Sequence, residues 1–237
     1  GKNKEVPQEI DFIVSKNFII TSHYEPVDVF FELAKLFETK SILDKIEIVE
    51  NSGSIFFYIM KRLYEGLEHE LGHVNQDLAL AEREVFIGNE HKMVQVLSKI
   101  NKTLIDFKYP LGLHHEILIS FDSKEEKIFG TKHEHYTEII IGEYKRVWNM
   151  LESNKELLMD LRNTNDSLFS AKTNNIMKKL TIMSFLTFPL TLMTGIFGMN
   201  TSKTPLAGLE NGFWIILGIM GAITLFMVIL FISKRWL

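Results

Sequence analysis

The spacing of apolar positions changes character several times along the chain, and each change marks an element. From Ile10 to Ser22 the residues read Ile-Asp-Phe-Ile-Val-Ser-Lys-Asn-Phe-Ile-Ile-Thr-Ser, two β-rich runs joined at Ser15-Lys16-Asn17, where a tight hairpin turn fits. A helix is expected around Val27–Phe37. Ser54 to Phe86 then reads as one long helix, with Leu67, Leu71, Val74, Leu78, Ala81 and Val85 at alternating steps of four and three. Such a seam requires a partner helix. His91 to Phe121 supplies one after a break at Gly88-Asn89, with Pro110 and Gly112 expected to disturb its regularity. From Lys124 no strong breaker appears before Pro189, and Ile140, Tyr144, Val147, Leu151, Leu158, Leu161 and Leu168 keep a near-heptad rhythm. One very long helix is predicted there, with Pro189 giving at most a kink.

Two uncharged runs follow, Leu180 to Phe197 and Phe213 to Ile232, neither holding Asp, Glu, Lys, Arg or His. At a rise of about 1.5 Å per residue, each crosses or nearly crosses a hydrocarbon core of about 30 Å. Adjacent helices that are apolar on every face are rare in small soluble domains, so both are expected to span a membrane. Lys178 and Lys179 precede the first run, and Lys234 and Arg235 follow the second, which puts both ends on the cytoplasmic side of the cell (inner) membrane. The connecting loop, Gly198 to Gly212, carries only Lys203 and Glu210 and is the segment exposed outside. The polar stretch before Phe12 shows no signal-peptide pattern. Acidic residues outnumber basic ones, and the chain carries a net charge of −4, which argues against a nucleic-acid partner. The absence of cysteine excludes disulfides and thiolate metal sites.

Alternating steps of three and four from Asn174 reach Met177, Thr181, Ser184, Phe188, Thr191, Gly195 and Gly198, so hydroxyls and glycines gather on one face of the first apolar helix. The second apolar helix offers only Thr224 as a hydroxyl. A helix with one small, polar face belongs inside an assembly, and a nearly all-apolar one belongs toward lipid. Small residues can also serve only to bring helices close, as Gly218 and Gly221 do in the second run. That does not account for Asn174, whose carboxamide in line with Thr181, Ser184 and Thr191 suits a water-filled path. A single helix cannot enclose such a path, so the reading requires a ring of identical chains.

Lys172-Thr-Asn-Asn-Ile-Met-Lys-Lys-Leu-Thr, then Pro189-Leu-Thr, then Gly195-Ile-Phe-Gly-Met-Asn200 and the terminal Lys-Arg-Trp-Leu together resemble the CorA family of magnesium transporters. The tripeptide Gly198-Met199-Asn200 directly after the first membrane helix is that family's signature. The resemblance implies an α+β membrane protein. Its parts would be a partial cytoplasmic α/β domain over residues 1–50, a coiled-coil hairpin over 51–123 and a stalk helix over 124–179. A pore-lining helix over 180–197, an external loop over 198–212, a second membrane helix over 213–233 and a cytoplasmic tail over 234–237 would follow. It further implies a homopentamer in the lipid bilayer, passive movement of a divalent cation driven by the membrane potential, and no organic cofactor or enzymatic activity. Carried over by position, Asn200 forms the external ring holding a hydrated ion. Gly195 and Thr191 are the next polar positions inward, Met177 and Leu180 a hydrophobic constriction, and Asn174 a cytoplasmic polar ring. Carboxylates sensing internal ion are also implied, with Glu138 and Glu143 in the corresponding territory. Mg2+ fits a filter of amide and backbone oxygens that grips its water shell. Phe197 in place of a tyrosine, Phe188 in place of a methionine and the non-acidic loop Thr201-Ser-Lys-Thr-Pro-Leu-Ala-Gly depart from the magnesium members, which leaves Co2+, Ni2+ or Zn2+ as alternative cargo.

One motif points elsewhere. His69-Glu70-Leu71-Gly72-His73 matches the His-Glu-x-x-His pattern in which two imidazoles one turn apart bind zinc and the glutamate acts as base, so a membrane-anchored zinc protease is an alternative, with Glu90 a conceivable third ligand. Gln76 and Ala79 stand where the longer protease pattern needs glycine and histidine, and the seam at Leu67, Leu71, Val74 and Leu78 leaves both histidines off the core face. His114-His115 and His133-x-His135 read as surface residues. A membrane-anchored coiled-coil scaffold is the third class, and it requires no conduction.

Overall fold

The computed structural model describes residues 9–43, 52–122, 124, 134–199 and 211–234. Strands β1 (Ile10–Val14) and β2 (Ile19–His23) pair antiparallel, with Phe12 opposite Thr21 and the Ser15 N–H donating to the Phe18 carbonyl across the turn. Helix α1 (Asp28–Leu43) runs six residues beyond the expected Phe37. Helices α2 (Ser52–Ile87) and α3 (Glu90–Asp122) form the hairpin, α4 covers Glu134–Gly198, and α5 covers Gly212–Ser233. Helix therefore dominates, and among the described residues the strands are β1 and β2, followed by α1.

The reversal between α2 and α3 forms where glycine was expected to break the pattern. Gly88 adopts φ 100°, a left-handed conformation without steric cost only for glycine. Its N–H donates to the Val85 carbonyl and the Asn89 N–H to the Glu84 carbonyl, the paired bonds of a Schellman cap. Asn89 then opens α3, its carbonyl accepting from the Lys92 and Met93 N–H groups.

The chain divides into two compact units, Gly1–Asn165 and Asp166–Leu237. In the first, the seam of α2 is buried at Leu71, Val74, Leu78, Ala81 and Val85, and α3 buries Met93, Leu97, Ile100, Leu104, Leu111 and Leu118 in the same three-and-four rhythm. Each of these Leu, Val, Ile and Met side chains contributes roughly 1.5–3 kcal/mol on leaving water. That burial overrides Pro110. The proline removes one backbone bond, yet α3 continues through it because Leu104, Leu111 and Leu118 stay seated on one face.

Helix α4 buries Ile140, Tyr144, Val147, Leu151, Leu158 and Leu161 as the rhythm implied, whereas Leu168 is only half-buried. The empty place in the rhythm between Leu151 and Leu158 is filled by Asn154, and Asn165 is buried as well. Asn154 Nδ2 donates to the Leu71 carbonyl at 3.0 Å, and its Oδ1 accepts from Asn75 Nδ2 at 2.9 Å, which ties α4 to α2 at one register. Two ion pairs flank this contact: Lys108 of α3 with Glu152 of α4 at 2.8 Å, and Arg146 of α4 with Glu68 of α2 at 3.2 Å.

The second unit has a different character. Its two apolar helical stretches are long enough to cross a membrane, and only 6% of each is buried within the chain, which separates them from the core helices of a soluble domain.

Candidate functional site

All of the residues from Asn174 to Gly198 singled out by the three-and-four stepping lie on the single helix α4. At about 100° per residue they drift slowly backward, roughly 20° per heptad, so the stripe winds gently around the helix. Asn174, Met177, Leu180, Thr181, Ser184, Phe188, Thr191, Gly195 and Gly198 are all exposed in the chain. Two hydroxyls that the stepping skipped, Thr187 and Thr194, sit on one edge of this arc and widen it. Their positions, three residues after Ser184 and Thr191, were the available signal.

The opposite face of the same helix is partly shielded. Ile182 is buried, and Leu186, Pro189, Leu190, Met193 and Phe197 are half-buried, all within an arc of about 100° that faces away from Ser184 and Thr191. Helix α5 likewise has one shielded face, through Ile216, Met220, Ile223, Thr224, Met227 and Phe231. The second unit therefore shields the apolar back of α4 and leaves its hydroxyl face open.

The hydroxyls are turned in a consistent way. Thr181 Oγ1 donates to the Met177 carbonyl at 2.8 Å, Ser184 Oγ to Leu180 at 3.0 Å, Thr187 Oγ1 to Met183 at 2.9 Å, Thr191 Oγ1 to Thr187 at 2.9 Å and Thr194 Oγ1 to Thr191 at 2.9 Å. Each O–H is thus engaged by the helix itself, and the oxygen keeps lone pairs for an outside donor. A row of acceptors without free donors matches the outward-pointing hydrogens of water around a cation. No bare-ion site is needed for that. Thr224 of α5 makes the same bond to Met220 at 2.8 Å but lies on the shielded face.

Gly198 ends α4 and Met199 follows it with its N–H toward the Ile196 carbonyl at 3.4 Å and its side chain exposed. Asn200 and the rest of the loop through Glu210 lie outside the described residues, as do Arg235, His133 and the side chain of His135.

The carboxylates named as candidate ion sensors differ. Glu143 is held by Arg146 at 3.1 Å and is largely buried, so its charge is already matched within the chain. Glu138 is exposed. Among the described residues no three His, Asp or Glu side chains converge on a point where they would hold a metal ion. His69 and His73 lie one turn apart on α2, exposed and facing away from buried Leu71. His114, read as a surface residue, instead packs inward. Tyr64, buried and pushed by desolvation well above the usual phenol range, keeps its proton, and its hydroxyl shares a 3.2 Å hydrogen bond with His114 Nδ1. The same burial lowers the His114 pKa.

A family model described as CorA-like Mg2+ transporter protein matches residues 1–235. The chain is 24% identical over 224 residues to the cobalt/magnesium transport protein CorA of Methanocaldococcus jannaschii, with 94% of this chain and 70% of that protein covered. It is 23% identical over 231 residues to the cobalt/magnesium transport protein CorA of Thermotoga maritima, covering 97% of this chain and 65% of that protein. Its fold matches the solved structure of the CorA magnesium transporter from Methanocaldococcus jannaschii with a TM-score of 0.80, at 22% identity over 97% of this chain and 76% of that one. The chain thus spans about two thirds to three quarters of the length of these relatives.

Proposed function

The chain belongs to the CorA-like Mg2+ transporter family, whose members move ions and are not enzymes, and from that premise we propose that it is one subunit of a ring-shaped, passive channel for hydrated divalent cations. The observation that carries this reading is the division of α4 into a covered apolar back and an open face of hydroxyl acceptors. In a ring, five copies by the family resemblance, these faces enclose a column of water and the remaining apolar surface meets lipid. Both chain ends lie in the cytoplasm and the Gly198–Gly212 loop outside, as the lysines and arginine flanking the two spans favour.

Selection acts at the outer mouth, where a ring of Asn200 carbonyls accepts hydrogen bonds from the ion's water shell. An amide ring binds more weakly than a carboxylate ring would, so the ion can leave as well as enter. Mg2+ is the cargo that suits this best, because it sheds its waters reluctantly. Met177 and Leu180, both exposed on the open face, form a constriction that closes by excluding water, and Asn174 gives the cytoplasmic end a polar ring. A variant cargo, Co2+, Ni2+ or Zn2+, is the second reading, left open by Phe197 and Phe188, which depart from the magnesium members. Of the two sensor candidates Glu138 is the exposed residue.

The test is divalent flux into liposomes under an imposed inside-negative potential. Asn200→Ala should lower the flux at least tenfold while the assembly keeps its mass in detergent. Unchanged flux would remove Asn200 from the filter, and wild-type protein that carries no divalent ion at all would end the transport reading.

A further inference from the structure

His69 and His73 are unaccounted for by the ion path. They project from one face of α2, about 160° around the helix on either side of buried Leu71, and both are exposed. Their ring centroids are 4.5 Å apart and the ring planes nearly perpendicular, at 89°. Two imidazoles bound at about 2.0–2.1 Å in neighbouring positions of one tetragonal or octahedral ion, at an angle of roughly 90°, would have ring centres about 4.5 Å apart, and a tetrahedral ion would set them wider. The observed separation lies at this spacing in an edge-to-face contact, so an ion needs only rotation of the two rings to turn a nitrogen of each toward it. Among the described residues neither ring is tied to a carbonyl or another polar side chain, so binding would break no existing hydrogen bond. Asp77, one turn beyond His73, and Glu70 between the two histidines add negative charge nearby.

We propose that His69 and His73 form a two-histidine site for a borderline transition-metal cation, Ni2+, Co2+ or Zn2+, on the outer face of α2, with water completing the coordination. The donor set sorts the ions: imidazole favours these metals, whereas Mg2+ prefers oxygen and keeps its water. The site therefore recognises a class of ion that the water-gripping filter is not built to distinguish by ligand chemistry. It also clips one turn of α2 to the next, so bound metal stabilises the helix whose opposite face forms the seam with α3 and α4. This site stands whether or not the hydroxyl face of α4 lines a pore.

The experiment is titration of the full chain in detergent with NiCl2, in the presence and absence of millimolar MgCl2, followed by diethyl pyrocarbonate modification and peptide mapping. We expect one Ni2+ per chain to be lost in His69→Gln/His73→Gln, and each single variant to weaken that binding at least tenfold. Mg2+ should leave it unchanged, and Ni2+ should protect the peptide carrying His69 and His73. Glu70→Gln, which keeps both imidazoles, should retain the site. Unchanged stoichiometry in the double variant, displacement by Mg2+, or protection confined to other histidines would each overturn the proposal.

Discussion

His114 illustrates how a side chain read as a surface residue acquires a different chemistry from its neighbours. Burial against Tyr64 favours its neutral form and lowers its pKa below the usual value of about 6.5. The unfolded chain therefore binds a proton that the folded chain refuses, and stability rises with pH across that interval. The contribution is complete above about pH 6.5 and is lost as pH falls toward the lower folded-state value. Glu152 is shifted the same way by a different cause, its carboxyl held low by the hydrogen bond from Lys108, and its contribution fades only below the ordinary carboxylate range. Thermal midpoints measured between pH 7.5 and 5 should fall for the wild type and fall less for His114→Gln; parallel curves would show that His114 is not the responsive group. Asn154 is the other decisive side chain. Replacing it by alanine removes two buried hydrogen bonds and leaves a void, an expected loss of about 1–3 kcal/mol. Leucine fills the space and should cost less than half as much, a difference readable in the same melting assay. Neither residue was recognisable in advance: a histidine pair without neighbours reads as surface, and an asparagine inside a heptad reads as a gap in the apolar pattern.

At the scale of elements, the Gly88 turn gives the sharpest local test. An alanine there must adopt a left-handed backbone, so Gly88→Ala should lower stability by about 1 kcal/mol, seen as a lower melting midpoint of the helical circular-dichroism signal. No change would mean that the turn relaxes into another conformation. The hairpin, the α2 seam, the break at Gly88-Asn89 and the long α4 were legible because each is set by local spacing that packing then reinforces. Pro110, expected to disturb the regularity of its helix, lies inside α3 without ending it. Its local preference is opposed by three leucines buried on the same helix, and packing prevails. The hydroxyl stripe on α4 was legible as a face, since a helix fixes which residues share a side. What spacing alone could not give was the covered back of that helix at Ile182, Leu186 and Met193, because coverage depends on the rest of the unit.

For the whole molecule, the proposal requires that the open face of α4 meet water in the assembled protein. The chain contains no cysteine, so single cysteines can be introduced without background labelling. Ser184→Cys and Thr191→Cys lie on the open face, and Leu186→Cys and Met193→Cys on the covered one. The most direct measurement is the reaction of these four variants, reconstituted in liposomes, with a small charged methanethiosulfonate reagent while divalent flux is followed. Modification at positions 184 and 191 with loss of flux, and no reaction at 186 and 193, is the expected result. Protection of 184 and 191 together with reaction on the opposite face would contradict a water-filled path along this stripe.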